Sequence, residues 1–100
     1  MIDNSKKWVI FDLDGTLANI ETRRKLAKQP NGKMDWDIFF ADKLVEHDEP
    51  NQPVILMAQA LKASGYQIAI LSGRSKSSKQ VTAEWLKKHG VEYNILKMRP

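Results

Sequence analysis

The chain contains no cysteine. That excludes disulfides, thiolate nucleophiles and cysteine-based zinc sites, and it is compatible with a reducing compartment. Long apolar runs are missing too. Stretches such as Ile68 to Leu71 fall far short of the roughly 20 residues a helix needs to cross a bilayer. The opening residues, Met1 to Lys7, are polar and offer no apolar core for a signal peptide. An intracellular, cytoplasmic protein without membrane attachment is expected. Acids are scarce in one half only. Residues 51–100 hold eight Lys/Arg against Glu84 and Glu92, a balance of +6, whereas residues 1–50 hold eight against ten, a balance of −2. A basic half suits a phosphorylated or polyanionic ligand, although lysine-rich solvated helix faces give the same count.

What is present is enough for one core. One hundred residues, 42% hydrophobic and 28% charged, fit a single globular domain or part of one. Trp8-Val9-Ile10-Phe11 is a bulky apolar run ending in Asp12-Leu13-Asp14-Gly15, which reads as a buried strand meeting a turn. Ile20 to Gln29 is a strongly basic helix, stopped by Pro30 and Asn31-Gly32. A second helix is expected over Asp35 to Val45, with Trp36, Phe39, Phe40 and Leu44 on one face. Asp48-Glu49-Pro50-Asn51 reads as a loop. A longer helix then starts near Asn51, with Pro53 in its first turn and Gly65 just past its end. Its apolar face is Ile55, Met57, Ala58 and Leu61. Tyr66 to Leu71 is a second strand, Ser77 or Ser78 caps a third long helix closed by Gly90, and Tyr93 to Met98 is a third strand. Trp8, Trp36 and Trp85 are expected in the core. His89, before Gly90, suits a cation at a helix C-terminus.

Strands alternating with helices predict an α/β protein with a Rossmann-like parallel sheet, flanking helices and a small helical insert at about residues 19–50. Such sheets carry their ligands at the carboxyl ends of the strands. Both polar clusters, Asp12 to Thr16 and Ser72 to Arg74, fall at that edge.

Asp12 and Asp14 are two apart, so both can serve one site as the strand ends. Neighbouring carboxylates repel unless one is protonated or a cation lies between them, and Mg²⁺ fills that role while also clamping phosphate. Gly15 lets the chain turn and come close to a ligand, and Thr16 offers its hydroxyl and N–H. Ser72 offers a hydroxyl, Gly73 an accessible backbone N–H, and Arg74 two parallel hydrogen bonds to phosphate. Nucleophile, proton carrier, metal and anion cradle together suit phosphoryl transfer to a carboxylate.

Val9 to Leu17 (VIFDLDGTL) resembles the first signature of the haloacid-dehalogenase (HAD) superfamily, and Ile70 to Arg74 (ILSGR) its second. Within it, Asp12 to Ala18, Gly65 to Arg74 and the Trp85 helix leading to His89-Gly90-Val91 are most similar to the 3′-phosphatase domain of bacteriophage polynucleotide kinase/phosphatases. The likeness is loose between Asn19 and Asn51.

The resemblance implies that Asp12 attacks phosphorus and that Asp14 protonates the leaving oxygen and then activates water. It implies Mg²⁺ on the Asp12 carboxylate and the Asp14 backbone carbonyl, with Ser72, Gly73 and Arg74 holding the phosphoryl group or adjoining strand. The implied substrate is a phosphorylated DNA or RNA end, and a 5′-kinase, fused or separate, is an implied partner. The family's later lysine and acidic pair have no counterpart among residues 75–100, and a fragment of a longer protein is the preferred reading. The alternatives are a small-molecule or nucleotide HAD phosphatase, and a catalytically incomplete phosphate- or nucleic-acid-binding module.

Overall fold

Residues 7–99 are described by a computed structural model. The N-terminal residues 1–6, read above as polar, and Pro100 lie outside the described residues.

The bulky run at the N-terminus forms strand β1 (Trp8–Asp12), and the second run forms β4 (Gln67–Ser75). They pair in parallel, with Asp12 opposite Leu71. The last strand, β5 (Ile95–Arg99), pairs with the other edge of β4, also in parallel, so the sheet order is β1-β4-β5. Parallel neighbours need crossovers. Helix α4 (Gln52–Ala63) leads into β4, and α5 (Lys79–Lys88), entered by a 3₁₀ turn at Lys76–Ser78, leads into β5. The α/β architecture with a parallel sheet is as expected.

Alternation along the strands decides what is buried. Phe11, Ile68, Ile70, Leu96 and Met98 face α4 and α5, where Ile55, Ala58, Trp85 and Leu86 complete the core. Fully burying side chains of this size contributes about 1.5–3 kcal/mol each. The opposite set is exposed: Trp8 is 47% and Ile10 65% accessible, and Leu71 and Ile95 are exposed beside them. The expectation of a buried Trp8 is therefore corrected. Both long helices contribute to the core on one face of the sheet, so every second residue of β1 points away from it.

Between β1 and α4 the chain makes an excursion through two short antiparallel strands, β2 (Ala18–Asn19) and β3 (Glu49–Pro50). The loop expected at Asp48 to Asn51 thus contributes a strand. The excursion holds α1 (Glu21–Ala27), α2 (Trp36–Phe39) and α3 (Asp42–Val45). The single helix expected over Asp35 to Val45 is two, separated at Phe40 and Ala41, where Ala41 is extended. Asp35 caps α2 by accepting from the Asp37 and Ile38 N–H groups, and Trp36 is exposed rather than core. On α4, Ile55 and Ala58 are buried, but Met57 is exposed. At the end of α5 the His89 ring lies 4.5 Å from Trp85. Burial there, with Lys88 adding repulsion, lowers the His89 pKa, while Glu49 acts the opposite way. No helix among the described residues is long and apolar enough to cross a membrane.

Candidate active site at the strand ends

The first polar cluster sits on a loop fastened at both ends. Leu13 N–H still bonds Leu71 O of β4 at 3.2 Å, and Leu13 O accepts from Thr16, Leu17 and Ala18 N–H. Leu13 and Leu17 are fully buried and pin the loop to the core. Gly15 turns the chain with φ +83°, a backbone conformation that costs an ordinary L-residue roughly 1–2 kcal/mol. Asn51, at the head of α4, donates to Thr16 O at 2.9 Å. Asp12 therefore stands exposed at the end of β1, with one carboxylate oxygen accepting Leu13 N–H at 3.0 Å.

The register brings the second cluster alongside. Asp12 pairs with Leu71, so Ser72 follows just past the last residue paired with β1, although β4 itself runs on to Ser75 beyond the Leu71 end expected for it. The Ser72 hydroxyl accepts Arg74 N–H at 3.0 Å, and Gly73 O accepts from Arg99 Nε at 2.9 Å. A β-carbon at Gly73 would meet nothing within 4 Å, so Gly73 is open to solvent between the buried Ser72 and Arg74.

Asp14 and Arg74 meet directly. Arg74 Nη2 donates to Asp14 Oδ1 at 2.7 Å and its Nε reaches Oδ2 at 3.3 Å. Its remaining nitrogen donates to Thr82 Oγ1 at 2.9 Å, and Asp48 Oδ2 lies 3.4 Å from Nη2. The side chain is 1% exposed. The fork expected to grip phosphate is instead occupied inside the protein, and it positions Asp14.

A second arginine, which the sequence reading missed, completes the arrangement. Arg23 of α1 forks onto Asp48, Nε to Oδ1 at 2.7 Å and Nη2 to Oδ2 at 2.8 Å. The same Nη2 donates to Asp14 Oδ1 at 2.6 Å, and Nη1 donates to Phe39 O at 2.6 Å. Its guanidinium lies over the Phe39 ring, 4.6 Å from the centroid, a cation–π contact. Two arginines thus meet two aspartates in a nearly dry, charge-balanced cluster. Burial pushes the Asp48 carboxyl up, although Arg23 and Arg74 pull the other way. Trp85 Nε1 fixes Asp48 from behind through its carbonyl at 3.0 Å.

One signal for Arg23 was available. It sits three residues after Ile20 and four before the buried Ala27, on the helix stripe that turns inward. Asp48 had none, because its partners lie 25 and 26 residues away in sequence.

The site is an open edge, not a cavity. A cleft of about 650 Å³ lies elsewhere, lined by Lys62, Glu84, Lys87, Glu92 and Tyr93 among others, and by none of Asp12, Asp14, Ser72 and Arg74.

Arg74→Lys is expected to cut turnover by about tenfold or more with charge conserved. Lysine has three donors on one atom and cannot span Asp14, Asp48 and Thr82 together. Steady-state kinetics on the full-length protein check this, and activity within about twofold of wild type, a barrier difference of roughly 0.4 kcal/mol, would remove Arg74 from the site.

A family profile described as "Polynucleotide kinase PNKP phosphatase domain" matches residues 6–100. Among solved structures, the chain is similar to a chain of the Pnkp1/Rnl/Hen1 complex, with 28% identity and a TM-score of 0.71, over 97% of this chain and 29% of that one. A structure of the Pnkp1/Rnl/Hen1 RNA repair complex gives the same identity and TM-score, with 27% of that chain covered. The chain thus spans less than a third of these relatives. It also shares its fold with a Vibrio cholerae protein at 22% identity and a TM-score of 0.65, covering 95% of this chain and 72% of that one. A search of curated proteins finds no match. The profile covers nearly the whole chain, and the parallel sheet with its DxDGT strand end agrees with it. The chain belongs to the PNKP phosphatase-domain family of the HAD superfamily.

Proposed function

We propose that this protein is a phosphomonoesterase that removes 3′-phosphates from DNA or RNA ends through an aspartyl-phosphate on Asp12. The observation that carries the reading is Asp14, held by two buried arginines two residues beyond an exposed Asp12 at the end of a parallel strand. A nucleophile must be reachable and a proton carrier must be oriented, and these two carboxylates differ in that way. The similarity to Pnkp1, a component of an RNA repair complex, supports a nucleic-acid end as substrate.

In the first step an Asp12 oxygen bonds to phosphorus, the P–O ester bond breaks, and the leaving 3′-oxygen takes a proton from Asp14. In the second, water attacks phosphorus, Asp14 takes back a proton, and the P–O bond to Asp12 breaks, releasing phosphate. Asp14 Oδ1 accepts from both arginines at 2.6 and 2.7 Å, whereas Oδ2 has only the 3.3 Å contact. Oδ2 is therefore the oxygen less tied up by the arginines and the one left to face the leaving group. In this reading Ser72, the Gly73 N–H and Thr16 receive the phosphoryl oxygens, Ser72 and Gly73 following directly on the Leu71 that pairs with Asp12.

The donors suit Mg²⁺. The Asp12 carboxylate and the Asp14 backbone carbonyl are hard oxygens, and Mg²⁺ keeps several waters when so few protein groups hold it. The Asp14 carboxylate, taken up by arginines, is not offered, and no group of three or more His, Asp or Glu among the described residues could hold a metal. When bound, the ion supplies charge neutralisation between Asp12 and the phosphoryl group.

The test is a substrate panel with the full-length protein and Mg²⁺. Phosphate release from a 3′-phosphorylated oligonucleotide should exceed that from its 5′-phosphorylated counterpart and from nucleoside monophosphates by about tenfold or more in kcat/KM, roughly 1.4 kcal/mol of discrimination. Preference for the free nucleotide would replace this reading with a small-molecule phosphatase.

A further inference from the structure

Tryptophan is on average a well-buried residue, yet Trp36 is 59% exposed. It is not loosely held. Its ring stacks on Phe40 with centroids 6.0 Å apart and planes at 22°, and meets Phe39 edge-on at 5.5 Å. Phe39 is buried beneath the Arg23 guanidinium, and Arg23 grips Asp14. An exposed, braced indole therefore lies two contacts from an arginine that orients the proton carrier.

The surroundings indicate what would lie on it. Residues 22–34 carry Arg23, Arg24, Lys25, Lys28 and Lys33 and no acid. Arg23 is used internally, but Lys25, Lys28 and Lys33 are exposed. Asp35 N–H donates to Ala27 O at 2.8 Å and Lys28 pairs with Met34, so the start of α2 lies against this cationic stretch. Of the two acids flanking Trp36, Asp35 is engaged in capping α2, and Asp37 is exposed. A flat aromatic face beside lysines is what a nucleotide strand requires: a π-surface for a base and cations for its phosphates. A purely apolar partner would leave the lysines without a role.

We infer that Trp36 is a stacking platform for a base of the substrate strand, with Lys28 and Lys33 taking its backbone phosphates. The inference rests on the 3′-phosphatase reading and deepens it: the substrate is a single-stranded end recognised by stacking, without sequence readout.

The experiment uses full-length protein and 3′-phosphorylated single-stranded oligonucleotides in which the terminal bases are replaced by abasic sites, one at a time. Wild type should show a KM raised about tenfold at one of these positions, a factor within the range that base–aromatic stacking supplies. Trp36→Ala should raise KM for the intact oligonucleotide by the same factor, with kcat changing much less, and should show no further loss on the abasic strand. Trp36→Phe should retain most of the affinity. The abasic comparison in wild type needs no variant, so a folding defect in Trp36→Ala cannot obscure the answer. If wild type turns over the oligonucleotide but is indifferent to every abasic site, the platform is overturned and the 3′-phosphatase reading stands. A rise in KM on Trp36→Ala that is equal for intact and abasic strands, each compared with wild type on the same strand, also overturns it. If wild type neither binds nor hydrolyses the oligonucleotide, both fall together. A protein captured at this face without any effect on oligonucleotide KM marks a protein-docking patch and overturns the platform.

Discussion

Asp12→Asn in the full-length protein is expected to lower kcat by about four decades or more, roughly 5.5 kcal/mol of barrier, while leaving the melting temperature unchanged. The two halves of that expectation have separate causes. Asparagine is nearly isosteric, and its side-chain oxygen can still accept the Leu13 N–H now bonded at 3.0 Å. Asp12 is exposed and outside the arginine cluster, so no buried charge is left unpaired. The amide, however, is a poor nucleophile, and without a P–O bond to residue 12 the reaction loses its intermediate. Single-turnover kinetics and circular dichroism on the same preparation check both halves. Retained hydrolysis with an unchanged spectrum would place the nucleophile elsewhere.

Arg23 should behave in the opposite way, with stability and activity falling together. Arg23→Ala leaves Asp48 buried against Arg74 alone and removes the guanidinium from the face of Phe39. Breaking a buried pair by removing one partner costs about 3–5 kcal/mol, a large part of the roughly 5–15 kcal/mol by which a domain is stable. In a domain of this size each kcal/mol shifts the melting temperature by about 4–8 °C, so a drop of more than about 10 °C is expected by calorimetry. A compensated variant separates the two effects. Arg23→Leu with Asp48→Leu removes both charges of the fork, and apolar replacement of a buried pair is often neutral or stabilising. That double variant should recover stability relative to Arg23→Ala but not turnover, because Asp14 Oδ1 has lost one of its two short contacts. Recovery of turnover along with stability would confine Arg23 to a structural role.

The two arginines also show where sequence reading reached its limit. Asp12, Asp14 and Gly15 were legible because their signals are local: a bulky strand, a turn glycine, and a spacing that ends the strand with a carboxylate. Ser72 to Arg74 was legible for the same reason, as the polar end of a second apolar run. The use of Arg74 was not. Whether a guanidinium faces a ligand or an internal carboxylate depends on Asp48 and Thr82, and Asp48 was read as part of a loop. Arg23 disappeared into a basic helix whose other cations, Arg24, Lys25 and Lys28, are indeed exposed. Trp8 and Trp36 were misplaced on a different ground. Hydrophobicity marks a strand or a helix stripe, but not how many faces of it are covered, and both rings stand in solvent.

The covalent intermediate gives the most direct test of the central claim. The full-length protein, Mg²⁺ and a 3′-phosphorylated oligonucleotide would be mixed, quenched in acid during turnover, and digested for peptide mass spectrometry. The account predicts a phosphoryl group on the peptide containing Asp12, labile to base and absent from the Asp12→Asn protein. Rapid turnover with no adduct at any quench time, or an adduct on a peptide lacking Asp12, would contradict it.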